Sequence, residues 1–302
     1  EVFYRLHERI KLYSIGRQSD RAYIDKYRRY KKLRSLIIRE KPDLLLAMPE
    51  DIGIYVIIAL IGTKIPVVVS ERNNPYVMPW KKTTRLLRKL FYPYAAGFIF
   101  QTRQAAEFFG PRIRSRGIIL PNPIDLNSLP EPHRGERRNE IVGAGRLESQ
   151  KNFSLLILAF ARFFENNRDY RLTIYGEGAL RKELEDLAAS LLPREAYSMP
   201  GVTADLPERI KGAAMFVLSS DYEGMPNVVI EAMAMGMPVI ATDCPTGGPA
   251  ALIKHSENGM LVPVGDVDKL CQAMQRIAVD KEYADRMGQK VLEIRNRLNS
   301  DI

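Results

Sequence analysis

The sequence predicts an α/β protein of two domains, each built on a parallel sheet. Short apolar runs bounded by polar residues read as strands buried on both faces, and segments of helical periodicity separate them. At 302 residues the chain is long enough for two domains, each with its own core. One segment, residues 215–242, displays a whole strand–loop–helix–strand unit.

In that unit Met215–Ser220 is an apolar run suited to a buried parallel strand, and Asp221–Pro226 is a loop. Asn227–Met235 places Val228, Val229, Ala232 and Met235 as a packed helix should, with Gly236 at the expected stop. Pro238–Thr242 begins the next strand. Ligands of open α/β sheets bind where strand carboxyl ends face helix N-termini, which points to Asp221–Asn227. Gly224 permits close backbone approach, and the first amides of the helix favour an anion such as diphosphate. Glu231, one turn into the helix, leans back toward the loop and could accept bonds from vicinal hydroxyls of a ribose. Glu223 could address a sugar. Spacing alone leaves a second reading open, in which Glu223 caps the helix and Glu231 is solvated.

Composition bounds the remainder. Hydrophobic residues at 46% and charged residues at 27% describe a soluble globular protein. The longest nearly continuous apolar run, Ile52–Ile61, falls far short of the roughly 20 residues that span a bilayer, and no signal peptide is visible. Cys244 and Cys271 are the only cysteines and have no histidine at metal-ligand spacing, so they read as core thiols in a reducing, cytoplasmic setting. Residues 1–122 hold 24 Lys+Arg against 10 Asp+Glu, and residues 123–302 hold 21 against 26. The first part therefore carries +14 and the second −5, which suggests that the first meets something anionic. No recognised nucleic-acid motif accompanies that charge.

In chain order, Ile10–Ile15 is a strand-like patch without a preceding strand. Arg21–Glu40 sets Tyr23, Tyr27, Tyr30, Leu33 and Ile37 at helical spacing among many cations, a basic amphipathic helix ended by Pro42. Leu44–Met48 is a strand, Asp51–Leu60 an apolar helix and Pro66–Ser70 a strand, followed by the polar cluster Glu71-Arg72-Asn73-Asn74-Pro75. Trp80–Tyr94 interleaves Lys81, Lys82, Arg85, Arg88 and Lys89 with Trp80, Leu86, Leu87, Leu90, Phe91 and Tyr92, the composition of an interfacial membrane helix. Gly97–Gln101 is a strand ending in Gln101-Thr102, and Gly117–Leu120 another before the boundary Pro121-Asn122-Pro123.

Ile141–Ala144 opens the second series of strands. Arg146 and Lys151 then fall in the loop before helix Phe153–Phe164, and two cations beside a helix start suit a diphosphate. Leu172–Tyr175 is a strand, Gly176-Glu177-Gly178 a turn, Ala179–Leu192 a helix, Tyr197–Val202 a strand and Asp205–Gly212 a short helix. Thr246-Gly247-Gly248-Pro249 is a further loop at the strand ends, and His255 falls in a surface turn. Met260–Val264 is the final strand, with helices at Val267–Val279 and Glu282–Leu298.

The segment EGMPNVVIEAMAMGMPVIAT, with Glu223-x7-Glu231 inside it, resembles the signature of the family-4 retaining glycosyltransferases (group 1). These are enzymes of the GT-B fold, in which two Rossmann-like domains face a cleft. The resemblance runs from about residue 40 to 295. It implies an acceptor-binding domain at 1–122, lacking the usual first strand and glycine loop, and a nucleotide-sugar domain at 123–280. Residues 281–302 would then form a helix crossing back toward the first domain.

By the same resemblance Arg146 and Lys151 hold the diphosphate of a nucleotide sugar, with UDP the expected nucleotide, and Glu231 holds the ribose. Glu223 with Gly224 and its neighbours holds the transferred sugar. The donor-binding set is Gly145, Arg146, Lys151, Gly201, Val202, Glu223, Gly224, Met225, Pro226, Asn227 and Glu231, with Glu223, Arg146 and Lys151 as the catalytic members. On the acceptor side stand Glu71, Arg72, Asn73, Gln101 and Thr102; many relatives carry a histidine near position 72. Retention needs no strong protein base, and neither a metal nor a cofactor beyond the co-substrate is expected. The acceptor is expected to be a saccharide, lipid-linked, in polysaccharide, lipopolysaccharide or capsule synthesis at the cytoplasmic face of a membrane, reached through Arg21–Glu40 and Trp80–Tyr94. Two other readings stay open: a nucleotide-sugar epimerase of the same fold, and a non-catalytic protein binding an anionic partner.

Overall fold

The computed structural model describes residues 7–299. The chain divides into two compact units. One takes in the chain up to Glu71 with Pro79–Ile99 and Pro111–Gly117; the other takes in Arg72–Met78, Phe100–Gly110 and the chain from Ile118 onward.

The first unit begins with α1 (Ala22–Glu40), closed by Lys41 in the left-handed region with φ 46°. Ile10–Ile15, strand-like in sequence, is irregular chain and stays largely exposed, because no strand pairs with it. β1 (Leu45–Ala47), α2 (Glu50–Leu60) and β2 (Val67–Glu71) follow. α2 is apolar on most sides and buries Ile54, Val56, Ile57 and Leu60. α1 docks on it through Tyr30 against Tyr55, ring centroids 4.0 Å apart. Arg34 donates to the carbonyls of Ala59 and Ile61 at 2.7 and 2.9 Å, placing a cation on carbonyls that the end of α2 leaves unpaired.

Then come α3 (Lys82–Phe91), β3 (Gly97–Phe100), the short helix α4 (Arg103–Glu107), which belongs to the second unit, the short helix α5 (Pro111–Arg114) and β4 (Gly117–Ile119). The four strands lie in the order β1-β2-β3-β4. α3 does not separate its faces as its sequence suggests. Arg88 is buried, while Leu86 and Leu90 are more than half exposed, with Trp80 and Tyr94 beside them in sequence also exposed. The cause is a buried polar cluster. Glu71 is 2% exposed, accepts a hydrogen bond from the Tyr92 hydroxyl and feels both the Arg88 cation and the Glu50 carboxylate.

The second unit carries β5 (Arg138–Ala144), α6 (Phe153–Phe164), β6 (Arg171–Tyr175), α7 (Arg181–Leu191), β7 (Tyr197–Gly201), α8 (Leu206–Ile210) and β8 (Ala213–Leu218). It continues with α9 (Asn227–Ala234), β9 (Val239–Thr242), α10 (Gly248–Leu252), β10 (Met260–Val262), α11 (Val267–Val279), α12 (Lys281–Lys290) and α13 (Glu293–Leu298). The strand order is β10-β9-β8-β5-β6-β7, with every pair parallel. Counted from β5, this is the doubly wound 3-2-1-4-5-6 arrangement, and the order reverses between β5 and β8.

All six residues of β8 and all four of β9 are buried, as strands covered on both faces must be. The single helix expected over Glu282–Leu298 is two, broken at Val291-Leu292. The break lets Val291, Ile294 and Leu298 all bury, and Arg295 donates to the Ala234 carbonyl at the end of α9, 3.0 Å away. No helix among the described residues is long and apolar enough to cross a membrane.

Burial pushes the Glu71 carboxyl up to about 7, with the Glu50 carboxylate adding to the rise and Tyr92 and Arg88 opposing it. The folded state then holds a proton that the unfolded state, near 4.5, has released. Stability should fall as pH rises from about 4.5 to about 7 and level off above that. Glu71→Gln should remove most of this slope, on the order of 2–3 kcal/mol between pH 4.5 and 8. Denaturant unfolding followed through Trp80, the one tryptophan and a member of the first unit, measures it; identical pH slopes in the two proteins would contradict the assignment.

Candidate active site

The order reversal between β5 and β8 opens a crevice at their carboxyl ends, and the loops following these two strands carry most of the residues singled out in the sequence. After β5 the chain runs through Gly145-Arg146 to a 3-10 turn, Ser149–Lys151, and Asn152 caps α6 by accepting from Leu155 N. After β8 it runs through Ser219–Pro226 into α9. The two loops are sewn together. Ser219 Oγ donates to the Lys151 carbonyl at 2.9 Å, Gln150 Nε2 to the Tyr222 carbonyl at 3.0 Å, and Asn152 Nδ2 to Asp221 Oδ1 at 2.7 Å.

Lys151 and Glu223 lie at the centre of this seam. Lys151 Nζ is 2.6 Å from Glu223 Oε1, with the side chains only 14% and 8% exposed. Ser220 Oγ donates to the same carboxylate oxygen at 2.7 Å. Glu223 is thus a partner of Lys151 and not a helix cap, and α9 has no side-chain cap bond at all. The lysine stem runs alongside Gly145, where an added Cβ would lie 3.0 Å from Lys151 Cε. Arg146, next in the chain, is exposed and pairs with Glu148 at 3.1 Å.

Glu231 is partly buried. Its carboxyl has no hydrogen-bond or ion-pair partner among the described residues, and burial holds its pKa above the ordinary carboxylate range. Gly201, with φ +87°, and the exposed Val202 close β7, two strands along from β5. Gly176 N donates to the Gly201 carbonyl, and Leu147 N to that of Glu177. The Gly-x-Gly turn therefore shapes the loop after β6 and packs it on the loop after β5.

The chain from 224 to 227 is held from behind by a buried amide network. Gln101 Oε1 accepts from Met225 N at 3.1 Å, and Gln101 Nε2 donates to Asn122 Oδ1 at 2.7 Å. Asn122 Nδ2 in turn donates to the Met225 carbonyl and to Asn227 Oδ1. Thr102 caps α4 and donates to the Thr246 carbonyl at 2.6 Å, while Thr246 Oγ1 donates to the Glu223 carbonyl at 3.0 Å. Gln101 and Thr102 are both buried and commit their side chains to these loops. Pro226 precedes α9 as its N-cap residue. Arg72 and Asn73 are partly buried, and the Arg72 carbonyl lies against Gly224. Glu71 stands apart, in the polar cluster of the first unit.

Sequence reasoning gave no role to the side chains of Asn122, Ser220 and Asn152, and placed Asp221 and Thr246 only within loops at the strand ends. Asn122 was visible only as the middle of a Pro-Asn-Pro boundary, and its partners lie more than a hundred residues away. Cys244 is a core thiol. Its Sγ donates to the Ser220 carbonyl, and burial pushes it up to about 12. A separate cavity of about 890 Å³ lies at the amino ends of β5 and β8, lined by Arg137, Asn139, Ala214 and Gly236 among others, and includes none of the residues above.

A doubly wound parallel sheet places its ligand crevice at the switch point, and here paired ionic groups line that point. Residues 127–293 match the family model described as glycosyl transferases group 1. An uncharacterized glycosyltransferase of Methanocaldococcus jannaschii is 32% identical over 245 residues, 73% of this chain and 60% of that protein. The Campylobacter jejuni GalNAc-alpha-(1->4)-GalNAc-alpha-(1->3)-diNAcBac-PP-undecaprenol alpha-1,4-N-acetyl-D-galactosaminyltransferase is 28% identical, over 94% of this chain and 79% of its own length. Among solved structures, Anabaena Alr3699/HepE in complex with UDP and glucose superposes with a TM-score of 0.80 at 18% identity, over 90% of this chain and 78% of that one. The chain belongs to the group 1 glycosyl transferases, and its fold is GT-B.

Gly224 tests how rigidly the loop is held. A Cβ there would lie 2.2 Å from the Arg72 carbonyl oxygen and 2.4 Å from Gln101 Oε1, so backbone would have to move. Gly224→Ala should destabilise the second unit by about 1–3 kcal/mol, the usual cost of overpacking. Denaturant titration measures it, and unchanged stability would show that the loop rearranges freely.

Proposed function

We propose that the chain transfers a sugar from a nucleotide-diphosphate donor, a UDP-sugar, to a saccharide acceptor with retention at the anomeric carbon. The observation that carries this reading is the switch-point constellation: the buried Lys151–Glu223 pair, Arg146 beside it in the loop after β5, and the partnerless carboxyl of Glu231. A lysine ammonium has three N–H donors, so Lys151 can keep its bond to Glu223 and still donate to a phosphate oxygen. Arg146 adds a second cation. Glu231 accepts from the ribose hydroxyls, Gly201 and Val202 border the base, and Glu223 with Gly224–Asn227 bounds the transferred sugar.

In the reaction the bond between the anomeric carbon and the diphosphate oxygen breaks as the acceptor hydroxyl bonds to the same face of that carbon. The hydroxyl proton passes to the departing diphosphate oxygen, so no strong protein base is required and the step is metal-independent. Lys151 and Arg146 lower the barrier by stabilising charge as it develops on the leaving group. The Anabaena complex with UDP and the UDP-named transferase of Escherichia coli support the choice of donor. Arg72 and Asn73 lie on the acceptor side, with Gln101 and Thr102 positioning the loop behind them.

The Campylobacter and Escherichia coli relatives named for diphospho-undecaprenol substrates support a lipid-linked acceptor in cell-surface polysaccharide synthesis. The surface of the first unit suits that role. Trp80, Leu86, Leu90 and Tyr94 expose apolar area among Lys81, Lys82 and Lys89, and Tyr23 and Tyr27 do so on α1. Apolar side chains rimmed by lysine match an anionic membrane surface, here the cytoplasmic face, with the enzyme peripheral to it.

Arg146→Ala and Lys151→Ala should each lower turnover roughly 10²-fold or more, as loss of a charge-stabilising donor does. Glu231→Ala should weaken UDP binding in a calorimetric titration more than it slows saturated turnover. Near-normal turnover in both cation variants would sink the assignment. In vesicle flotation at low salt, the wild-type protein should rise with anionic vesicles, and Leu86→Ser with Leu90→Ser should stay behind. Absence of wild-type binding would favour a soluble acceptor.

A further inference from the structure

Arginine is costly to bury without partners, and each of the interior guanidiniums named next has at least one, although Nη2 of Arg116 is itself unpaired. Arg34 donates to two carbonyls, Arg116 to those of Pro93, Ala95 and Arg112, and Arg137 to those of Lys211, Ala213 and Gly236. Arg88 lies within the field of Glu71. Arg72 is the exception. It is partly buried, and its side chain has no hydrogen bond, ion pair or aromatic contact among the described residues. No charged group offsets its loss of solvent, which lowers its pKa.

Its location makes that exception informative. The Arg72 carbonyl fixes the backbone directly against Gly224, the residue after Glu223, so the guanidinium lies within a side chain's reach of the switch-point loop. Arg146 and Lys151 have carboxylates at hand, Glu148 and Glu223 respectively. Arg72 has none. A planar, permanently charged fork with all its donors unused matches the oxygens of a phosphate group.

Building on the transferase reading above, we propose that Arg72 binds a phosphate oxyanion of the substrate complex and supplies a third cation beside Arg146 and Lys151. That phosphate has two chemical sources, the donor's diphosphate or a diphosphate carried by the acceptor. Arg72 is a binding residue in this scheme, one that touches substrate and sets which substrates are held.

The test uses the full chain with Arg72→Gln and Arg72→Lys, each checked for wild-type unfolding behaviour. One arm titrates UDP, GDP, ADP and inorganic pyrophosphate into each protein. The other titrates farnesyl diphosphate, and farnesol as its uncharged control, into protein held at saturating nucleotide. A lost charged hydrogen bond corresponds to about ten- to a hundredfold weaker binding. Arg72→Gln should show that loss in one arm, and Arg72→Lys should recover part of it, which a merely structural role would not produce.

Loss in the first arm assigns Arg72 to the donor diphosphate. Loss in the second arm, with nucleotide affinity unchanged and farnesol indifferent, assigns it to the acceptor. Wild-type affinities for every phosphate ligand in a folded Arg72→Gln protein overturn the inference and leave the transferase reading standing. Failure of the wild-type protein to bind any nucleotide or pyrophosphate overturns both.

Discussion

The Lys151–Glu223 pair is the contact on which the arrangement of the second unit's working end depends. Desolvating both charges is expensive, and a buried ion pair is by itself weak evidence of stability. Its value here is positional. It joins the loop after β5 to the loop after β8, the two strands between which the sheet reverses its order. Removing either partner would strand the other charge in a nearly solvent-free setting, at a typical cost of about 3–5 kcal/mol. Neighbouring contacts reinforce the same join: Ser220 on the shared carboxylate oxygen, Ser219 on the Lys151 carbonyl, and Asn152 on Asp221.

A loop held at its front by one ion pair would still be free to pivot, and the polar network behind it removes that freedom. Gln101 and Asn122 meet both the N–H and the carbonyl of Met225, as a buried backbone requires. Thr102 and Thr246 continue the chain of bonds to the Glu223 carbonyl. The consequence for binding is preorganisation: polar groups already fixed by the protein need not be ordered when a ligand arrives. The close approach of the Arg72 carbonyl to Gly224 belongs to the same economy of space, because any side chain at position 224 would push the two backbones apart.

How far these features were legible in the sequence follows from their range. The strand–loop–helix–strand unit was readable because its signals are local: the run Met215–Ser220 corresponds to β8 at Ala213–Leu218, and the helix read as Asn227–Met235 ends at Ala234. Helix Phe153–Phe164 was readable to the residue. The short helices α4, α5 and α10 were not, since four or five residues show no period; α8, equally short, was read within Asp205–Gly212. The faces of α3 were misleading, because the burial of Arg88 depends on Glu71, seventeen positions earlier and on another element. Glu223 and Glu231 were legible as candidate ligands, but not their environments. Whether Glu223 caps a helix or meets Lys151 is decided by a partner 72 residues away.

The cations at the switch point are balanced by carboxylates close to them in the chain or in space. Two cations on one short loop would repel each other if left unpaired. Glu148 and Glu223 answer this by pairing with Arg146 and Lys151. The two pairs differ in kind. Arg146–Glu148 is solvent-exposed, so its pairing is weak, and on the proposed reading a phosphate would replace it. Lys151–Glu223 is buried, and the lysine can share its ammonium protons between carboxylate and ligand without leaving the pair. On the transferase reading proposed above, exchange at the rim and sharing at the centre would let the loop keep one geometry through binding and release.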